Sequence, residues 1–89
     1  MKGGIYLIYA SPNQSLKIAR VKAGLFQKEV AKEAGITSSS YYQIESGRKS
    51  TSGKTAKAIA DALGVPIESI FNIQVEKAGD TNASQNEKN

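Results

Sequence analysis

From residue 15 to residue 71 the apolar positions recur at three- and four-residue spacing, and turn-forming residues interrupt them at close intervals. That pattern predicts five short helices. Ser15 is expected to cap the first, which runs to about Ala23 with Leu16, Ala19 and Ile18 or Val21 inward, and Gly24 supplies the stop. The second runs from about Gln27 to Ala34 and ends at Gly35. Thr37 is placed to accept hydrogen bonds from the amides of a third, about Ser38 to Glu45, which closes at Ser46-Gly47. Ser52 is placed to cap a fourth that continues to Leu63, with Thr55, Ala56, Ile59, Ala60 and Leu63 on one face and Gly64 beyond it. Pro66 suits the first turn of a short fifth helix ending near Phe71. No period-two alternation is read after residue 14, so the expected fold class is all-α.

Both ends differ from this middle. Residues 5–10, Ile-Tyr-Leu-Ile-Tyr-Ala, form an apolar and aromatic run between Gly3-Gly4 and Ser11-Pro12-Asn13. Six residues fall short of the roughly 7–15 of a signal peptide's apolar region, and no stretch approaches the ~18–20 needed to cross a bilayer. Rich in β-formers, the run reads as a short strand. A lone strand is not stable, so it docks on the helical body, pairs with the same segment of a second subunit, or lies disordered. At the other end, residues 76–89 have almost no large apolar side chains and cannot offset their ordering entropy by burial. The chain divides accordingly into an extension (1–14), a helical body (15–71) and a flexible tail (72–89).

The spacing of the second and third helices carries more information than their existence. Ala31 is small enough for a close helix crossing, Gly35 permits a tight turn, and Ile36, Tyr41 and Ile44 can fill the angle between the two helices. This is the pattern of a helix-turn-helix. Left on the outer face of the third helix are Ser38, Ser39, Tyr42 and Gln43, all uncharged, where an ordinary surface helix more often carries Lys and Glu. Short donors and acceptors of this kind suit base edges in a DNA major groove.

Composition agrees and narrows the choice. The chain of 89 residues has no Cys, His or Trp, which removes thiol and imidazole nucleophiles and the usual ligands of zinc, iron–sulfur and haem. Neither a cofactor nor a metal is expected, and an enzyme is disfavoured. Twelve basic against eight acidic residues give a formal charge of +4 and a pI near 9.4. Nine of the bases and five of the acids lie in residues 15–71, so the excess belongs to the helical body. An anionic partner follows. Gly53-Lys54-Thr55 looks like the end of a phosphate-binding loop, but Arg48 stands where that motif needs its first glycine.

The words LKIAR (16–20), GLFQKEVAKEAGIT (24–37), YYQIESGRKS (41–50), TAKAIADALGV (55–65) and ESIF (68–71) resemble the Cro and phage-repressor-like helix-turn-helix domains, the xenobiotic-response-element family of prokaryotic regulators. The resemblance implies a compact five-helix DNA-binding domain and a cytoplasmic, nucleoid-associated protein of a prokaryote or phage, with double-stranded DNA as partner. Two copies would read half-sites about one helical turn apart, so a homodimer is expected at least on DNA, and no membrane. Gln27 would bind a phosphate and brace the recognition helix, and Gln43 would read adenine or guanine edges. Thr37, Ser38, Ser39 and Tyr42 fall where the family contacts bases and adjoining phosphates. Backbone amides and basic side chains of Ser46-Gly47-Arg48-Lys49 would hold the sugar–phosphate strand, and Lys28 is a further phosphate candidate. Arg20 and Glu45 match an internal ion pair of the family.

Several positions depart from the family pattern. Phe26 stands where Ser or Thr normally caps a helix, Ala19 replaces Leu, Thr51 replaces Pro, Tyr41 replaces Ile or Val, and Gly53 occupies a first helical turn. Phe26 is expected to cost about 1 kcal/mol unless it packs over the helix start as a staple. The alternative function is an antitoxin or mobile-element accessory protein whose domain acts mainly through a protein partner.

Overall fold

The computed structural model describes residues 4–77. A strand β1 (Gly4–Ala10) leads into helices α1 (Ser15–Lys22), α2 (Gln27–Ala34), α3 (Ser38–Glu45) and α4 (Gly53–Leu63), then a single 3₁₀ turn (Ile67–Ser69) and a second strand β2 (Phe71–Lys77). Local chemistry accounts for most helix ends. Thr37 and Ser52 each accept a backbone N–H three residues on, from Ser40 at 3.0 Å and Thr55 at 3.1 Å. Gly35, at φ 73°, ends α2 in the left-handed region that side-chain-bearing residues avoid.

The core is built from one face of each element. Val30 and Ala31 of α2, Tyr41 and Ile44 of α3, and Ala56, Ile59, Ala60 and Leu63 of α4 form one buried cluster with Ile8, Leu16, Ile70 and Phe71. Ala31 is 1% exposed, a small side chain on the packed face of α2.

Five expectations need correction. The fold is not all-α, because β1 and β2 pair antiparallel in a two-stranded sheet, with Ile8 opposite Ile73 and Ala10 opposite Phe71. The fifth helix is not an α-helix: only three residues, Ile67–Ser69, take a 3₁₀ turn, and Pro66 precedes it in extended conformation. Residues 72–77 are not tail but strand, whereas 78–89 lie outside the described residues. Phe71-Asn72-Ile73-Gln74-Val75 does alternate, but a strand needs a partner, and this one lies at the opposite end of the chain. Finally, Ser15 does not cap α1. Asn13 and Gln14 both adopt left-handed backbone, at φ 65° and 59°, and Ser15 becomes the first helical residue, its hydroxyl donating to the Pro12 carbonyl at 3.1 Å. Ile18 and Val21 are also exposed rather than inward.

Of the three outcomes open to residues 5–10, docking is the one observed. Ile8 is 5% exposed and joins the core, and its carbonyl accepts the Thr51 amide at 2.9 Å. The Ser11 amide donates to the Ile70 carbonyl at 2.9 Å and fixes the other end of the crossing. Proline has no N–H to give, so Thr51 supplies a tether that the family's usual residue could not.

Candidate nucleic-acid interface

A four-membered polar network fixes the start of α2 against the end of α3. Glu45 accepts from Arg20 through both oxygens, Nε to Oε1 at 2.8 Å and Nη2 to Oε2 at 3.2 Å. The Tyr41 hydroxyl donates to Oε1 at 2.8 Å and Gln27 Nε2 to Oε2 at 3.0 Å. A third guanidinium nitrogen of Arg20 donates to the Leu25 carbonyl at 2.8 Å, in the turn between α1 and α2. The Arg20 and Glu45 side chains are only 11% and 7% exposed, so their charges rely on one another rather than on water.

The network shows in the titration of its members. Burial pushes the Glu45 carboxyl up, but the hydrogen bonds from Arg20, Tyr41 and Gln27 outweigh it and hold the group below the ordinary carboxylate range. For Tyr41, burial and the bond to ionised Glu45 act together and keep the phenol protonated well above its usual range. The hydrogen bond to Glu45 raises Arg20 further, against the opposing effect of burial. Both acid and alkali should therefore destabilise the domain. A depressed folded-state pKa means that the unfolded chain binds the extra proton, so the Glu45 contribution is full above about pH 4.5 and is lost as pH falls below it. A raised one means the reverse, so the Tyr41 contribution is full below about pH 10 and is lost above it. Urea midpoints measured against pH should fall at both ends. Glu45→Gln should have a shallower acid limb, and an unchanged limb would exclude Glu45 as its source.

Around this scaffold the residues singled out from the sequence fall into three groups. Ala31, Ile36, Tyr41 and Ile44 pack inside or at the edge of the motif, with Gly35 at its turn and Arg20 and Glu45 in the network. Ser38, Ser39, Tyr42 and Gln43 are exposed on α3, beside exposed Lys28, Ser46, Arg48 and Lys49. Thr37 and Gln27 are partly committed, because the Thr37 hydroxyl accepts the Ser40 amide and one Gln27 N–H is given to Glu45. Gln27 keeps a second N–H for another acceptor.

The turn after α3 offers less backbone than the family resemblance implies. The amides of Ser46, Gly47 and Arg48 donate to the carbonyls of Tyr42, Ile44 and Gln43 at 3.0, 3.1 and 3.0 Å. Three of the four amides of Ser46-Gly47-Arg48-Lys49 are thus committed within the turn, and Lys49 Nζ donates to Ser40 Oγ at 3.0 Å. Arg48 is exposed and has no ion-pair partner among the described residues.

Gln27 stands on a ridge between two depressions. One is lined by Arg20, Phe26, Lys28 and Ser38. The other is lined by Lys17, Tyr42, Ser46, Gly47 and the 10–14 turn. Lys17 and that turn were not expected here, since the strand that carries the turn to this side docks through contacts distant in sequence.

A helix-turn-helix whose second helix presents uncharged polar side chains among exposed cations defines a class, the DNA-binding regulators. The chain matches the helix-turn-helix family over residues 16–70 and belongs to it, in the Cro-type, xenobiotic-response-element branch of transcription regulators. No curated protein matches the chain in sequence. The match runs from α1 to the 3₁₀ turn, so β1 and β2 lie outside it. No helix among the described residues is long and apolar enough to cross a membrane.

Proposed function

We propose that the protein is a sequence-specific repressor that reads the DNA major groove with α3, two copies acting on two half-sites about one helical turn apart. The observation that carries this reading is the exposed face of Ser38, Ser39, Tyr42 and Gln43 on a helix whose opposite side, Tyr41 and Ile44, is locked in the core. Gln43 reads a purine edge, Ser38 and Ser39 meet neighbouring bases, and Thr37 contacts the adjoining backbone. Gln27, Lys28, Ser46, Arg48 and Lys49 bind phosphate and set the register.

Selection of bound sequences from a random duplex pool tests this. An enriched, two-fold symmetric site is expected, bound with an affinity that falls steeply with salt. Gln43→Ala should lose about 1–3 kcal/mol of discrimination at one base pair of each half-site. Arg48→Ala should weaken all sequences alike and flatten the salt dependence by about 0.9 per lost contact in each half-site. No enriched sequence would exclude the reading and favour a domain that acts through a protein partner, as an antitoxin or mobile-element accessory protein does.

A further inference from the structure

Three helices of this domain begin on nearly the same backbone. The residue before the first turn has φ −75°, ψ 156° at Thr37, φ −76°, ψ 162° at Ser52 and φ −83°, ψ 158° at Phe26. Thr37 and Ser52 use that geometry to cap their helices through a hydroxyl. Phe26 has no acceptor to do so. Glu29 offsets part of the deficit, its Oε1 accepting the Phe26 N–H at 2.8 Å and its amide donating to the Phe26 carbonyl at 3.0 Å, but no side chain caps the first amides of α2.

The ring gains little inside the protein in return. A staple would lay it against the helix it precedes, but Phe26 is 68% exposed, the highest value among the large apolar residues that reach solvent. A residue that breaks a local rule with little compensating gain in the fold is expected to serve an external partner. The surroundings say which kind. Phe26 shares its depression with Arg20, Gln27, Lys28 and Ser38, with no other large apolar side chain among the described residues that line it; Arg20 is held by Glu45 and the Glu29 carboxylate accepts the Phe26 N–H, so Lys28 is the cation left to meet an anion. A protein partner would ordinarily be met by several apolar side chains together. An isolated ring beside the Lys28 ammonium, the second Gln27 N–H and the Ser38 hydroxyl instead matches a duplex edge, where apolar sugar and methyl surface lies between phosphates.

Resting on the reading of α3 as the recognition helix, we propose that Phe26 is a DNA contact of this chain. Its ring seats on apolar surface of the duplex beside the base met by Ser38, and the protein keeps an uncapped α2 in exchange for that contact. The apolar surface is either a thymine C5-methyl group or a deoxyribose face. Both present C–H groups of similar extent to the ring.

Phe26→Ser gives the test, because the two properties should move in opposite directions. The hydroxyl falls where Thr37 and Ser52 hold theirs, so the urea midpoint should rise. Affinity for the duplex selected by the unaltered protein should fall by roughly tenfold, as expected for loss of a buried aromatic contact. Phe26→Leu, which keeps apolar bulk without the ring, should lose less. Replacing the half-site thymines one at a time by deoxyuridine distinguishes the sources. Loss seen with the unaltered protein but not with Phe26→Ser assigns the methyl group, and no loss at any thymine assigns the sugar. Unchanged affinity of folded Phe26→Ser would overturn the proposal while leaving the recognition helix intact. So would an affinity loss that disappears once protein concentration restores a weakened dimer, since the ring would then be a subunit contact. If the unaltered protein enriches no sequence, the reading of α3 fails first and the proposal with it.

Discussion

Glu45→Ala should lower the unfolding free energy by about 2–4 kcal/mol, between the small cost of an exposed ion pair and the ~3–5 kcal/mol of removing one partner of a fully buried one. The size follows from what is stranded. Arg20 would keep the Leu25 carbonyl but lose both charge-assisted bonds, with a side chain only 11% exposed. The Tyr41 hydroxyl, on a residue with no measurable exposure, would lose its acceptor. An internal control lies on α4, where Lys57 and Asp61 form an ion pair of the same 2.8 Å length with side chains 67% and 63% exposed. Asp61→Ala should cost below about 1 kcal/mol, because water screens that pair and long side chains lose entropy in making it. Urea unfolding of the two variants separates them. If Glu45→Ala costs no more than Asp61→Ala, the network does not brace the motif. Removing both charges in Arg20→Met with Glu45→Leu should recover part of the loss, since no buried charge is then left alone.

The helical body was legible because its signals are local. Thr37 and Ser52, Gly35 and Gly64, and the 3–4 spacing of Ala56, Ile59, Ala60 and Leu63 each act within one helix or at its ends, and α2 to α4 fall where those signals place them. What escaped depends on distant residues or on unusual backbone. Nothing around Ser15 announces that Asn13 and Gln14 both turn left-handed and carry Ser15 past the cap position. The alternation of Phe71, Ile73 and Val75 is real, but its partner strand lies at the opposite end of the chain. At the candidate interface, the outer face of α3 could be read from helical period alone. Pairing of Arg20 with Glu45, 25 residues apart, was visible only through family resemblance. Tyr41 read as core by its size, and burial holds it there, yet its hydroxyl reaches a carboxylate that no spacing rule would have chosen. Departures from the family pattern proved informative where the structure gives them work. Thr51 has an amide to donate, and Tyr41 adds a donor that Ile or Val would lack.

Ile8→Ala should cost roughly 2–5 kcal/mol, the range for truncating a buried branched side chain. Nothing in the family match, which begins at residue 16, requires that outcome. If the helical body were self-sufficient, β1 would be an accessory and the substitution would cost little. The packing argues otherwise. Ile8 is 5% exposed, belongs to the same buried cluster as Phe71, and extends its Cδ1 to within 3.9 Å of where a side chain on Gly53 would begin. Shortening it opens a void at the start of α4 and weakens the one strand against which β2 pairs, since a two-stranded ribbon depends on the core beneath it. Thr51→Pro makes a sharper companion. It restores the residue usual in the family, and a pattern-based expectation is that the domain gains stability. Here the change deletes the N–H that holds the Ile8 carbonyl at 2.9 Å, so a loss of about 1–3 kcal/mol is expected instead. Chemical denaturation of both variants decides the matter. Losses in both would make the strand pair part of the folding unit of this regulator, whereas a stabilised Thr51→Pro with a near-neutral Ile8→Ala would return that role to residues 16–70 alone.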